Sequence, residues 1–173
     1  MRSLHGTDLK RFLRDYRRQH QATLPKLAFL LQSVEYPANV GSAFRIADAC
    51  HVEHMALTGI TPCPPQPTLD KVARGKQNSV NWWYEEQPTQ AIAHLRDEGY
   101  LICAIELTAE AQPYFTVDYP QRVCLVVGHE DHGVTRETLD HCDTSIFLPM
   151  YGKGRSLNVH VALGIVAYHI LHR

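Results

Sequence analysis

Apolar residues along the chain gather into short unbroken runs, separated by segments whose apolar groups recur at helical spacing. Residues 27–31 (Leu-Ala-Phe-Leu-Leu), 55–58, 100–105, 122–127 and 145–148 read as buried strands, and 80–84 is a further β-prone segment. Between them, helices are expected over about 40–50, 89–98 and 136–141. Val40, Phe44, Ile46 and Ala47 carry the helical spacing of the first, with Asn39, just after Pro37, as its cap. The proline-rich stretch 62–67 predicts a turn, and the basic segment 71–76 that follows is expected to be exposed. A last helix over about 157–172 is apolar around most of its surface, including Val159, Val161, Leu163, Ile165, Val166 and Ile170. Such a helix is either buried or packed against another subunit.

Strands alternating with helices imply an α/β fold: a mostly parallel sheet, helices on both faces, and ligand sites at the carboxyl ends of the strands. Residues 8–20 predict a basic helix that ends before Pro25, so the folded body begins near residue 26. The division expected is therefore a basic arm over 1–25 and one domain over 26–173. No internal repeat or low-complexity tract interrupts it.

Composition narrows the class. The chain has 173 residues, 45% of them hydrophobic, with 17 Lys and Arg against 18 Asp and Glu. A globular chain of this length buries roughly 70% of the surface its unfolded form exposes. The apolar runs are far shorter than the roughly 20 residues a bilayer span needs, and the N-terminus lacks the apolar core of a signal peptide, so a cytoplasmic protein without membrane partners is expected. Five cysteines with no CxxC spacing point to neither a disulfide framework nor a zinc ribbon. Charge is uneven: residues 1–26 hold Arg2, Lys10, Arg11, Arg14, Arg17, Arg18 and Lys26 against Asp8 and Asp15, which leaves the body acidic. The basic arm reads either as a solvated helix face or as a polyanion-binding element.

Three glycine-containing loops follow predicted strands: residues 39–45 (Asn-Val-Gly-Ser-Ala-Phe-Arg), 128–133 (Gly-His-Glu-Asp-His-Gly) and 150–158 (Met-Tyr-Gly-Lys-Gly-Arg-Ser-Leu-Asn). Glycine lets a ligand approach the backbone closely. None of the loops has the GxGxxG spacing of a dinucleotide fold or the GxxxxGK[ST] spacing of a P-loop. His129, Asp131 and His132 lack further ligands in their sequence neighbourhood, so no metal is expected.

Together, the segments Asn39-x-Gly41-x3-Arg45, Gly128-x-Glu130-x2-Gly133 and Leu148-Pro-Met-x-Gly152-x3-Ser156-Leu-Asn-Val-x-Val-Ala162 resemble, in order and spacing, the three signature motifs of the SpoU/TrmH family of RNA ribose 2′-O-methyltransferases, within the SPOUT superfamily. The resemblance runs from about residue 26 to the C-terminus. It implies a C-terminal deep trefoil knot, S-adenosylmethionine as cofactor and a homodimer whose subunits complete the active sites. It also implies roles. Arg45 would stand nearest the ribose hydroxyl, as base or as phosphate anchor; a guanidinium cannot normally deprotonate, which favours the anchor. Arg45 could also be a structural ion-pair partner. Asn39 would orient Arg45 or touch RNA. Glu130 would fix the catalytic loop, and Ser156 and Asn158 would steady the loop and the cofactor's methionine portion, although Ser156 could simply cap the last helix. Leu107, Gly128, Leu148, Met150 and Leu157 would contact the adenosine.

Two positions depart from the family pattern. His160 stands where bacterial members often have Ser, a variant associated with eukaryotic-type guanosine-18 tRNA methyltransferases; as a histidine in an apolar helix it reads as a satisfied core residue and not as a base. Loop two has His129 before the glutamate, where Asn, Ser or Thr is frequent. For RNA, the arm, Lys71, Arg74, Lys76, Lys153 and Arg155 are candidate phosphate contacts, and Trp82 and Trp83 are either stacking surfaces or core. The expected activity is 2′-O-methylation of tRNA, guanosine 18 in the D-loop included. Ribosomal RNA as substrate, an idle RNA-binding protein with the same fold, and a nucleotide-binding module remain the other readings.

Overall fold

The computed structural model describes residues 3–173; Arg2 of the basic arm lies outside the described residues. Seven strands form one sheet: β1 (Lys26–Gln32), β2 (His54–Thr58), β3 (Trp82–Glu85), β4 (Leu101–Ile105), β5 (Gln112–Pro113), β6 (Arg122–Val127) and β7 (Thr144–Phe147). Their order is β3-β2-β1-β6-β4-β7-β5 and every pairing is parallel. The six α-helices among the described residues are α1 (Gly6–His20), α2 (Pro37–Ala49), α3 (Pro67–Ala73), α4 (Pro88–Asp97), α5 (Arg136–Asp140) and α6 (Val159–Leu171).

Strand side chains alternate between two cores, because successive residues of a strand point to opposite faces. Leu27, Phe29 and Leu31 of β1 join Val123, Leu125 and Val127 of β6 under α2, α3 and α6. Ala28 and Leu30 join Cys124 and Val126 on the other face, beneath Ala91, Ile92 and Leu95 of α4. Two apolar faces explain the unbroken apolar runs. Helices therefore cover both faces, as the alternation implied.

Several elements differ from the sequence reading for identifiable reasons. The first body helix starts at Pro37, with Tyr36 at its N-cap, so Asn39 sits in its third helical position instead of capping it. Proline's fixed φ preorganises the first helical position, and Asn39's side chain is engaged elsewhere. The segment taken as a turn and a basic stretch contains α3, begun by Pro67 and capped by Gln66, whose side chain accepts from Leu69 N at 2.6 Å. Leu69 and Ala73 bury its apolar side while Lys71 and Arg74 stay exposed. The cap of α6 is Asn158, accepting from His160 N at 3.2 Å; Ser156 is exposed and plays no such part. Trp82 packs half-buried against the α2 side core and Trp83 against the other, so both serve the cores.

Helix α1 contrasts with the rest. None of its residues is buried, and Leu9, Phe12, Leu13 and Tyr16 form an exposed apolar stripe beside the basic residues.

Candidate active site

The carboxyl ends of β1, β4, β6 and β7 open onto a cleft of about 930 Å³. In open parallel sheets this is where ligands bind. Four chain segments wall it: the start of α2 with Tyr36 and Asn39, residues 105–107 at the end of β4, residues 127–133 from the end of β6, and the long segment 146–159 from the end of β7 to the start of α6.

A single buried asparagine joins three of these walls. Asn39 Nδ2 donates to Glu130 Oε1 at 2.6 Å. Its Oδ1 lies 3.1 Å from Asn158 Nδ2 and 3.1 Å from His160 Nδ1, and accepts from both. Glu130 is held from its other side by two backbone donors, Glu35 N at 2.9 Å to Oε2 and Tyr36 N at 3.3 Å to Oε1. Those amides belong to the N-terminal end of α2, where unpaired donors need an acceptor and favour a negative one. Partial burial alone would raise the Glu130 carboxyl, but the Asn39 bond and the backbone donors outweigh it and hold it below its ordinary value. It is a fixed carboxylate, not an acid. Partial burial also lowers the His160 imidazole, which is neutral at pH 7.

The loop between β6 and α5 is shaped by two glycines. His129 and Gly133 exchange backbone hydrogen bonds of 3.1 and 2.8 Å, closing the loop on itself. A Cβ on Gly128 would lie 2.2 Å from the Gly133 carbonyl carbon and oxygen. Gly133 has φ +67°, and a Cβ there would meet Glu106 Oε2 at 2.3 Å. Glu106 in turn accepts from Val134 N at 2.9 Å and pins the loop's exit. Nothing in the sequence pattern singled out Glu106, because one glutamate after a strand carries no motif.

Opposite, Leu107, Leu148, Met150 and Leu157 give the cleft an apolar side, with Leu107 70% exposed and Leu157 40% exposed. Ser156 and Arg155 stand on the same segment. Nine of the ten residues proposed from sequence thus line the cleft or its hydrogen-bond network: Asn39, Leu107, Gly128, Glu130, Leu148, Met150, Ser156, Leu157 and Asn158. Arg45 does not. It is exposed on α2, six residues beyond Asn39, and among the described residues it forms no ion pair, so the structural reading of this arginine has no partner here.

Other chemistries find less support. Glu35, His129 and Asp131 bring one ligand-type atom each within 4.8 Å of one another. His129 Nδ1 accepts from Asp131 N at 3.1 Å, so its Nε2 carries the proton and faces Glu35 Oε2 at 3.4 Å. Hydrogen bonds to the Asp131 backbone and the Glu35 carboxylate account for the place of His129 in that grouping. All five cysteines are free, and burial pushes the thiols of Cys50, Cys103 and Cys142 up to about 12, far from a reactive thiolate.

Against known families, the SpoU rRNA Methylase family model matches residues 26–168. The chain belongs to the SpoU methylase family. Among curated relatives, the tRNA (guanosine(18)-2′-O)-methyltransferase of Escherichia coli K12 is 32% identical over 144 residues, 83% of this chain and 62% of that one. The 23S rRNA (guanosine-2′-O-)-methyltransferase of Neisseria meningitidis is 29% identical over 142 residues, 82% of this chain and 56% of that one. The chain therefore spans less than two thirds of either relative. Of solved SpoU structures, the Aquifex aeolicus TrmH/SpoU tRNA modifying enzyme superposes with a TM-score of 0.76 at 26% identity, covering 92% of this chain and 82% of that one.

Proposed function

We propose that this SpoU family member is an S-adenosylmethionine-dependent RNA 2′-O-ribose methyltransferase acting on tRNA, with guanosine 18 the leading position. The observation that carries this reading is the convergence of all three motif segments on one cleft, tied together through Asn39. The cleft suits the cofactor. Its volume lies within the roughly 300–1,000 Å³ of small-molecule sites, and it pairs an apolar side with the glycine-shaped loop backbone and the half-buried Glu106 carboxylate, whose charge complements a cationic ligand. Leu107, Leu148, Met150 and Leu157 would take the adenine, and the backbone at Gly128 its ribose.

Bound there, the cofactor supplies a sulfonium methyl group. The chain's task is to hold a ribose hydroxyl in line with it and keep competing water out. Glu130 fixes the mouth of the cleft, and Ser156 and Asn158 steady the segment on its far side. Arg45, without an ion-pair partner among the described residues, anchors the phosphate beside the target ribose; its guanidinium stays charged and acts by position and field. Its place outside the cleft of its own chain supports a homodimer that grips RNA between subunits. Val161, Ile165 and Tyr168, exposed at 40, 38 and 47% on α6, supply an apolar stripe for that contact. We further assign a trefoil knot to the C-terminal part: β6 lies between β1 and β4 although it follows both in the chain. Residues 1–25 act as a basic arm beside the domain of 26–173. The same reading puts the enzyme with its RNA in the cytoplasm.

The test is to incubate the protein with tritiated S-adenosylmethionine and, separately, tRNA and rRNA, and to map the labelled nucleoside. Label in a tRNA 2′-O-methylguanosine is expected. Label in rRNA alone would keep the chemistry and replace the substrate, as the Neisseria relative suggests. Cofactor binding with neither RNA labelled would refute both substrates, and no cofactor binding would leave an RNA-binding fold.

A further inference from the structure

His160 takes part in the hydrogen-bond network at the cleft mouth, yet the proposed reaction assigns it no task. It is the second residue of α6, half-buried, and its ring reaches back to α2. The polarity of this network is set at both ends by backbone groups that cannot reverse. Glu130 receives the amides of Glu35 and Tyr36, and a carboxylate accepts only, so Asn39 must turn Nδ2 toward it. At the other end, Asn158 Oδ1 receives the His160 backbone N–H, so Asn158 must turn Nδ2 toward Asn39. Asn39 Oδ1 therefore faces His160 Nδ1 at 3.1 Å as an acceptor. The imidazole must carry its proton on Nδ1, the minor tautomer of a free neutral histidine side chain.

We propose that His160 is a positioning residue: its Nδ1–H, together with Asn158, saturates Asn39 Oδ1 and locks the buried amide in the single orientation that presents Nδ2 to Glu130. Helix α6 is thereby coupled to both loops at the cleft mouth. A ring of the same size without the donor leaves a buried oxygen short of one partner and the amide free to rock. Only the kinetic consequence rests on the methyltransferase reading; the tautomer and the locked amide do not.

Two measurements test this. In a ¹⁵N-histidine spectrum of the wild-type protein, the signal that disappears in His160→Phe belongs to His160; it should show a protonated Nδ1 and a bare Nε2. A protonated Nε2 with a bare Nδ1 would overturn the proposal. In methyl transfer to tRNA, His160→Phe should lower kcat roughly tenfold, with KM for both substrates and the far-UV spectrum unchanged. Asparagine places its amide nitrogen where histidine has Nδ1, whereas glutamine matches Nε2. H160N should therefore recover kcat to within about threefold of wild type and H160Q should not. Equal rescue by both, or full kcat in His160→Phe, would refute the role. If wild-type protein methylates no tRNA, the functional reading fails while the nitrogen spectrum still decides the tautomer and hydrogen bond.

Discussion

Replacing Glu130 with Gln probes how strongly the cleft mouth is held. The carboxylate accepts three hydrogen bonds, two at Oε1 and one at Oε2. Glutamine keeps most by placing its carbonyl at the Oε1 site, under Asn39 Nδ2 and Tyr36 N. Its amide then faces Glu35 N–H, donor against donor. One charge-assisted bond is lost, worth about 1.5–3 kcal/mol, and the other two lose their charge assistance. Glu130 is only partly buried, so solvent recovers part of this and the net cost is about 1–2 kcal/mol. For a domain of this size that lowers Tm by about 2–8 °C. The pH dependence has a definite sign. A carboxyl held below its ordinary value of 4.5 contributes stability that is present in full at neutral pH and is lost as pH falls through the folded-state value. Glutamine does not titrate. Denaturant unfolding of both proteins should therefore show a gap that is largest at pH 7 and shrinks progressively below about pH 4.5. A variant as stable as wild type at pH 7, or a gap unchanged down to about pH 3.5, would refute the charged-acceptor account.

Gly128→Ala should weaken S-adenosylmethionine binding more than tenfold by calorimetry, because its Cβ meets backbone that cannot move aside, whereas Gly152→Ala, with open space around it, should leave Tm within about 1 °C. Arg45→Ala should keep its Tm, since the exposed guanidinium holds no ion pair among the described residues, while single-turnover methyl transfer falls at least a hundredfold; unchanged turnover would remove this arginine from the mechanism. Neutralising Arg14, Arg17 and Arg18 should reduce the slope of log affinity for tRNA against log salt by about 1 for each phosphate left without its arginine, and an unchanged slope would make the arm a bystander. Ile165→Glu on the outer face of α6 should shift the protein toward monomer in sedimentation equilibrium, with little change in helix content.

Much of the framework was readable from pattern because the strands are buried on both faces, and unbroken apolar runs leave few alternatives. Residues 122–127 coincide with β6, and the others agree within two residues. α3 hid within a proline-rich stretch because Pro67 at a helix start looks the same in sequence as a proline in a turn. β5, two residues long, has no periodicity to detect. At the cleft, motif spacing located the residues but not their partners. Asn39 looked like a cap because local sequence favours that use, and only the fold brings Glu130 and Asn158 to it across 91 and 119 residues of chain. Glu35 and Tyr36 contribute through main-chain amides, to which side-chain identity is blind. His160 stood out as a departure, but its bond to Asn39 depends on how α6 docks against α2.

Helix α1 stands on fifteen residues with no buried side chain. An isolated helix of that length sits near the threshold where nucleation cost and hydrogen bonding cancel. Its amides should exchange with solvent orders of magnitude faster than those of β1 or β6, and warming should melt it well before the sheet. Any surface that engages it must supply the free energy to keep it wound. Capture by that surface therefore becomes a heat-sensitive event, stronger in the cold than the number of charges on the arm would suggest.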